Sequence, residues 1–274
     1  MNLSSKLKLN NGVEVPYLGL GTFQLKDGEE AYNAVKWAIE LGYKHIDTAT
    51  IYGNEVSVGK AIKDSGIARN DIFVTTKLWN DDMRQDNQLN AIDESLKRLG
   101  LDYVDLYLIH WPVKDKYVES WKKMEEIYKS GKAKAVGVSN FNIRHIEDIL
   151  AVSDLVPAVN QYECSPELTM VELVDYCNKK GIRFEPWAPL GKGETLKRPE
   201  ITAMAEKYGK TPAQIVLRWG LQREFFNIPK SANKPRIEEN SKIFDFELSE
   251  ADYKALFALN EDKRYGPDPE TFDF

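Results

Sequence analysis

From residue 17 onward the sequence repeats one order of events: a short β-rich run, a polar loop, then an amphipathic helical stretch. The strand candidates are "YLGLGTF" from 17, "KHIDTA" from 44, "DIFVTTKL" from 71, "DLYLIHW" from 105, "AKAVGVSN" from 133, "PAVNQYE" from 157, "RFEPWAPL" from 183 and "FFNIPKS" from 225. Helical patterns follow them over 28–41, 55–65, 86–99, 117–130, 142–152, 167–180, 199–223 in two pieces, and 235–243, with one more over 249–259. Thr211 and Pro212 read as an N-cap followed by proline at the first helical position. Strands that alternate with helices imply a parallel sheet, because parallel neighbours need a crossover. Eight such units in about 250 residues predict an α/β fold, a closed (β/α)8 TIM barrel, with an open doubly wound sheet as the alternative on pattern alone. Ahead of the units, Asn11 and Gly12 sit between two alternating segments and predict a β-hairpin cap. The tail "YGPDPETFDF" predicts a surface loop, expected to lie over the barrel mouth. No linker or low-complexity stretch interrupts the run, so residues 1–274 are expected to form a single domain.

Charge and cysteine usage narrow the function classes. The 37 basic and 43 acidic residues give a net charge of −6, so there is no overall basic field to hold nucleic acid. The two cysteines, Cys164 and Cys177, are too few for a disulfide framework and are not at CxxC spacing, which fits a reducing compartment. The N-terminus lacks the apolar core of a signal peptide, and no run approaches the ~18 apolar residues of a membrane span. The expectation is a soluble cytoplasmic protein with no membrane partner. The histidines at 45, 110 and 145 are far apart, no HExxH occurs, and no metal site is expected.

In such barrels the chemistry lies where the strands end. The second strand candidate closes on Asp47, the third on Lys77 and the fourth on His110, while the loop after the second adds Tyr52. Each has a bland reading as a turn cap, a solvated amine, a satisfied imidazole or a packed ring. Their convergence on successive strand ends favours a shared task. A tyrosine titrates near 10, too high for proton exchange at neutrality, but an adjacent ammonium lowers it. Lys77 is placed to supply that charge, Asp47 to keep Lys77 charged, and His110 to orient a substrate oxygen. Such a group delivers a proton to an oxygen gaining negative charge, as in carbonyl reduction. The glycines of "GLGTF" lack the third glycine of a dinucleotide fingerprint and no GxxxxGK occurs, so a hydride donor would bind without a Rossmann unit. "IPKSANKPRIEEN" offers another anchor, with Lys230, Ser231 and Arg236 at a strand end and helix start suited to a phosphate.

These residues resemble the aldo-keto reductases along essentially the whole chain. "HIDTATIYGNEVSVGKAI" is similar to the family's DTAxxYxNExxVGxAI signature, and "DLYLIHWP", "VGVSNF" and "IPKSANKPRIEEN" are similar to three further motifs in the family's order. The tail is similar to that of small bacterial members such as the 2,5-diketo-gluconate reductases and prostaglandin F synthase-like enzymes. The resemblance implies an NADPH-dependent carbonyl reductase, monomeric and acting on a small-molecule carbonyl substrate. It implies Tyr52 as general acid, Lys77 and Asp47 tuning it, and His110 orienting the carbonyl. It places Ser139, Asn140 and Gln161 on the nicotinamide carboxamide and Trp187, where many relatives have tyrosine, against that ring. Leu190 and Gly191 would lie along the pyrophosphate. Lys230, Ser231 and Arg236 would contact the 2′-phosphate, with Glu239 and Asn240 near the adenine. Gly21, Thr22 and Phe23 would border cofactor and substrate. The substrate wall would be Phe23, Tyr52, Trp79, His110, Trp111 and Phe272. A further departure is Ser165, where many relatives have histidine. The rival readings are a cofactor-binding protein with little turnover, in a regulatory or structural role, and a metal-assisted hydrolase, which needs ligands the sequence lacks.

Overall fold

The computed structural model describes residues 1–274. Seven strands, β3 (Leu20–Gly21), β4 (His45–Asp47), β5 (Phe73–Leu78), β6 (Val104–Ile109), β7 (Ala133–Ser139), β8 (Val159–Glu163) and β9 (Arg183–Trp187), form one parallel sheet in sequence order. β1 (Lys6–Lys8) and β2 (Glu14–Pro16) form the antiparallel hairpin ahead of it, with Leu7 opposite Val15. Every residue of β5 and β6 is buried, as expected of strands covered on both faces.

The eighth strand candidate needs correction. Residues 225–230 are not a continuous strand, but they curl the sheet towards closure through isolated parallel bridges, Leu18 with Asn227 and Gly21 with Lys230. The Gly19 N–H donates to the Asn227 carbonyl at 2.8 Å, and the Asn227 N–H donates to the Tyr17 carbonyl at 2.9 Å. No backbone hydrogen bond joins this segment to β9. Pro186 and Pro229 have no N–H to donate, so a regular ladder cannot run along the seam. On the β3 side the approach is close: a Cβ on Gly21 would stand 2.6 Å from the Ile228 carbonyl oxygen.

The helices are α1 (Glu29–Glu40), α2 (Glu55–Asp64), α3 (Asn80–Arg84), α4 (Gln88–Leu99), α5 (Tyr117–Lys129), α6 (Ile143–Leu150), α7 (Val171–Lys180), α8 (Pro199–Tyr208), α9 (Pro212–Gln222), α10 (Lys234–Ser241) and α11 (Glu250–Phe257). α7 starts later than the expected 167, because Ser165 and Leu168 bridge antiparallel and turn the chain first. α9 begins as expected: Gln214 N–H donates to Thr211 Oγ1 at 3.3 Å, and Thr211 N–H donates to Gln214 Oε1 at 2.9 Å.

A core of 55 buried apolar residues joins the sheet to its helices. A smaller cluster sets Leu7 and Val15 of the hairpin against Phe73, Leu106, Val159 and Phe226, residues near the strand starts. The hairpin therefore plugs one end of the barrel and leaves the strand ends open. The tail crosses that open end, where Phe272 and Phe274 pack on Trp111 with ring centroids 5.0 and 5.1 Å away. No helix is long and apolar enough to cross a membrane.

Candidate active site

β4 ends on Asp47, a 3-10 turn (Thr50–Tyr52) presents Tyr52, β5 carries Lys77 one residue before its end, and His110 follows β6. Parallel register sets these ends side by side, with Asp47 beside Thr75 and Lys77 beside Leu108. Lys77 is fully buried, and its Nζ donates to Asp47 Oδ1 at 2.7 Å and to the Thr48 carbonyl at 2.9 Å. The same Nζ stands 3.4 Å from the Tyr52 hydroxyl. The His110 ring meets Tyr52 edge-on, centroids 5.6 Å apart. Asp47 Oδ2 accepts a hydrogen bond from Gln161 Nε2 at 2.9 Å.

Burial sets much of the electrostatics. Desolvation alone would lower the Lys77 pKa, but the adjacent acidic groups, Asp47 foremost, more than offset it and hold the ammonium charged. Desolvation pushes the Tyr52 hydroxyl up to about 12, outweighing the opposing pull of Lys77. The expectation that the ammonium brings the phenol below its usual value is therefore corrected: the tyrosine is a stable acid across neutral pH. Burial first, and Lys77 second, push His110 well below the usual imidazole range. A neutral imidazole keeps one N–H to donate.

These groups sit at the floor of a cleft of about 910 Å³. Gly21, Phe23, Asp47, Tyr52, Trp79, His110 and Trp111 line one part, and Ser139, Asn140, Gln161, Trp187 and Leu190 another. Lys230, Ser231, Arg236, Glu239 and Asn240 line the far arm. Three expected contacts lie behind the wall. Thr22 is fully buried, with Oγ1 donating to the Asp47 carbonyl at 2.9 Å. Gly191 is shielded by Thr195, and Phe272 stands behind Phe274, which takes its place in the lining and stacks on Trp79 at 6.0 Å between centroids. Lys77 reaches the cleft only through Tyr52 and Asp47.

The far arm holds two uncommitted cations: Lys230 and Arg236 are exposed and make no side-chain ion pair. Asn233 caps α10, its Oδ1 accepting from the Arg236 N–H at 3.2 Å. Glu239 is already engaged, accepting from Thr211 Oγ1 at 2.8 Å. Asn140, at φ 63 in the left-handed region that asparagine tolerates, turns the chain after β7. Its Oδ1 accepts from Trp187 Nε1 at 2.8 Å, a bond that a tyrosine there has no indole N–H to make. Sequence reasoning missed Ile51, Phe274 and Glu185. The first two follow from neighbouring Tyr52 and from the alternation with Phe272. The third is a charged residue inside a strand, whose burial only the register with Gln161 reveals.

Residues 17–261 match the model of the Aldo/keto reductase family. The chain is 50% identical to a glyoxal reductase of Bacillus subtilis, over 100% of this chain and 99% of that one. It is similar to the solved structure of an aldo-keto reductase enzyme from a Medee basin deep-sea metagenome library, at TM-score 0.94 and 46% identity over 98% of this chain and 100% of the other. A Gox0644 mutant solved in complex with NADPH superposes at TM-score 0.94, with 42% identity over 98% of this chain and 99% of that one.

Proposed function

The chain belongs to the aldo/keto reductase family, and we propose that it is an NADPH-dependent reductase that converts aldehydes and ketones to alcohols, with Tyr52 as proton donor. The observation that carries this reading is the buried Lys77 ammonium, 2.7 Å from Asp47 and 3.4 Å from the Tyr52 hydroxyl at the floor of an open cleft. Tyr52 gives its proton to the substrate oxygen, and the nearby ammonium stabilises the negative charge that the phenol takes on. Neutral His110 donates its N–H to the same oxygen and so orients the carbonyl. Asp47 keeps Lys77 charged without needing to exchange a proton itself.

The remaining residues fit a phosphorylated dinucleotide. Arg236 in the first turn of α10 and Lys230 ahead of the helix, neither in an ion pair, suit the 2′-phosphate together with Ser231. Gln161 and Ser139 offer polar groups to a carboxamide, Asn140 is held in place for it by Trp187, and Trp187 supplies a ring face. Leu190 with Gly191 behind it borders the pyrophosphate, Asn240 and Glu239 the adenine. When bound, NADPH supplies the hydride that the carbonyl carbon accepts. Phe23, Trp79, Trp111 and Phe274 make an aromatic wall that suits small or flat carbonyl compounds. The relative named a glyoxal reductase supports small dicarbonyls as the first compounds to try.

The test follows loss of reduced-nicotinamide absorbance with NADPH and, separately, NADH against aromatic aldehydes, dicarbonyls and keto-sugars. NADPH-driven turnover is expected, with Tyr52→Phe at least ~10²-fold slower. Tight NADPH binding without turnover on any carbonyl, or unimpaired turnover in folded Tyr52→Phe, would overturn the reading.

A further inference from the structure

Glu185 lies in the middle of β9, directly beside Gln161 in the parallel register with β8, and is fully buried. Its Oε2 accepts from Gln161 Nε2 at 2.8 Å, while the same nitrogen donates to Asp47 Oδ2 at 2.9 Å. A primary amide nitrogen carries two hydrogens, so both are spent inside the protein. The amide has only one direction left to offer. Its carbonyl oxygen, Oε1, accepts from no protein group, although Gln161 lines the cleft.

We propose that Glu185 is a positioning residue: by accepting the second N–H of the Gln161 amide, it holds the carbonyl of that amide towards the cleft and so sets a demand for an N–H-bearing carboxamide on the nicotinamide. The proposal rests on the reading of the cleft as a nicotinamide site. Asp47 alone leaves the second amide hydrogen without an acceptor in a dry interior, and rotation of the amide to find one would turn its oxygen away. A buried donor without a partner is costly, which gives the second acceptor its weight.

The local charges agree with an uncharged acid in this role. Lys77 is the one ammonium bonded to this cluster and is already paired with Asp47 at 2.7 Å. Burial first, then the neighbouring Asp47 charge, push the Glu185 carboxyl well above the usual range. Its Oε2 is the oxygen that accepts from Gln161, and Oε1 meets no protein group. Glutamine is then its closest isostere.

The test compares alcohol oxidation with NADP⁺ and with its 3-acetylpyridine analogue, in which an acetyl group without N–H replaces the carboxamide. The readout is the ratio of the two kcat/KM values in each variant relative to wild type, which cancels the intrinsic difference between the two cofactors. Glu185→Met, similar in volume but no acceptor, is expected to reduce the preference for NADP⁺ by roughly tenfold, while Glu185→Gln keeps it. An unchanged ratio in folded Glu185→Met, or equal losses with both cofactors, would mean a merely structural residue and overturn the proposal. Should Glu185→Met fail to fold, Gln161→Met decides together with Glu185→Gln: preference lost in the first and kept in the second supports the proposal, and any other pairing defeats it. Wild-type protein inactive with NADP⁺ would instead overturn the proposed function.

Discussion

At the scale of single residues, the candidate site depends on which protonation states burial permits. Tyr52 is pushed up to about 12 by desolvation, so its acid form persists through neutral pH. Reduction, which needs that acid, should show kcat/KM without a Tyr52-dependent fall from about pH 6 to about pH 9. Alcohol oxidation needs the phenolate and should rise by up to tenfold per pH unit over the same range. A pH–rate profile for each direction checks this, and a tenfold-per-unit fall of reduction around neutrality would contradict the Tyr52 assignment. The four central residues could be read from the sequence because each ends or follows a strand. The direction of the Tyr52 shift could not, since it depends on how much water the surrounding rings remove.

At the scale of elements, each loop after a strand delivers one part of the cleft, and α10 delivers the part proposed to distinguish NADPH from NADH. Its first turn is capped by Asn233 and presents Arg236, with Lys230 just ahead of it, both free of ion pairs. Arg236→Ala should weaken NADPH binding by roughly tenfold, the scale of one charge-assisted contact, and leave NADH binding nearly unchanged because NADH has no 2′-phosphate. Titration of intrinsic fluorescence with each cofactor measures both, and equal losses would remove the phosphate contact. The motif around α10 was visible as a cluster of basic and hydroxyl side chains before a helical pattern. The tail was visible as a loop over the barrel mouth, with Phe272 expected in the substrate wall. Which of its aromatics faces the cleft depends on the packing of Phe274 on Trp79, and that pairing spans most of the chain.

At the scale of the whole molecule, the barrel buries three histidines that an unfolded chain would protonate in mild acid, His110 at the cleft and two outside it. His45, between Phe73 and Phe226, is lowered by burial and Lys77 to about 3, and His145 by burial and Arg144 to about 4. All three folded pKa values are depressed, so below the unfolded value near 6.5 the unfolded state binds protons that the native state refuses. The histidine contribution is therefore full above about pH 6.5 and falls as pH drops, by up to ~1.4 kcal/mol per pH unit for each histidine, while the raised Glu185 carboxyl contributes a slope of the opposite sign. Urea unfolding at several pH values between about 6.5 and 5, above the range where carboxylates dominate, checks the slope. Replacing His45 by phenylalanine should remove one proton's worth of it, and a slope unchanged in that variant would exclude His45 as a source.

The sequence by itself determined the βα alternation, the hairpin, the strand-end placement of Asp47, Lys77 and His110, and the cap at Thr211, because these are consequences of local periodicity and turn chemistry. Tertiary structure alone decided the seam beside residues 225–230, where Pro186 and Pro229 withhold donors that a ladder needs. It also decided the environment of Glu185 and the orientation of Gln161. A glutamate in a strand reads as exposed until the register with a neighbour places it beside a glutamine inside the barrel. The two acceptors around the Gln161 amide come from β4 and β9, which only the fold brings within hydrogen-bonding distance of β8.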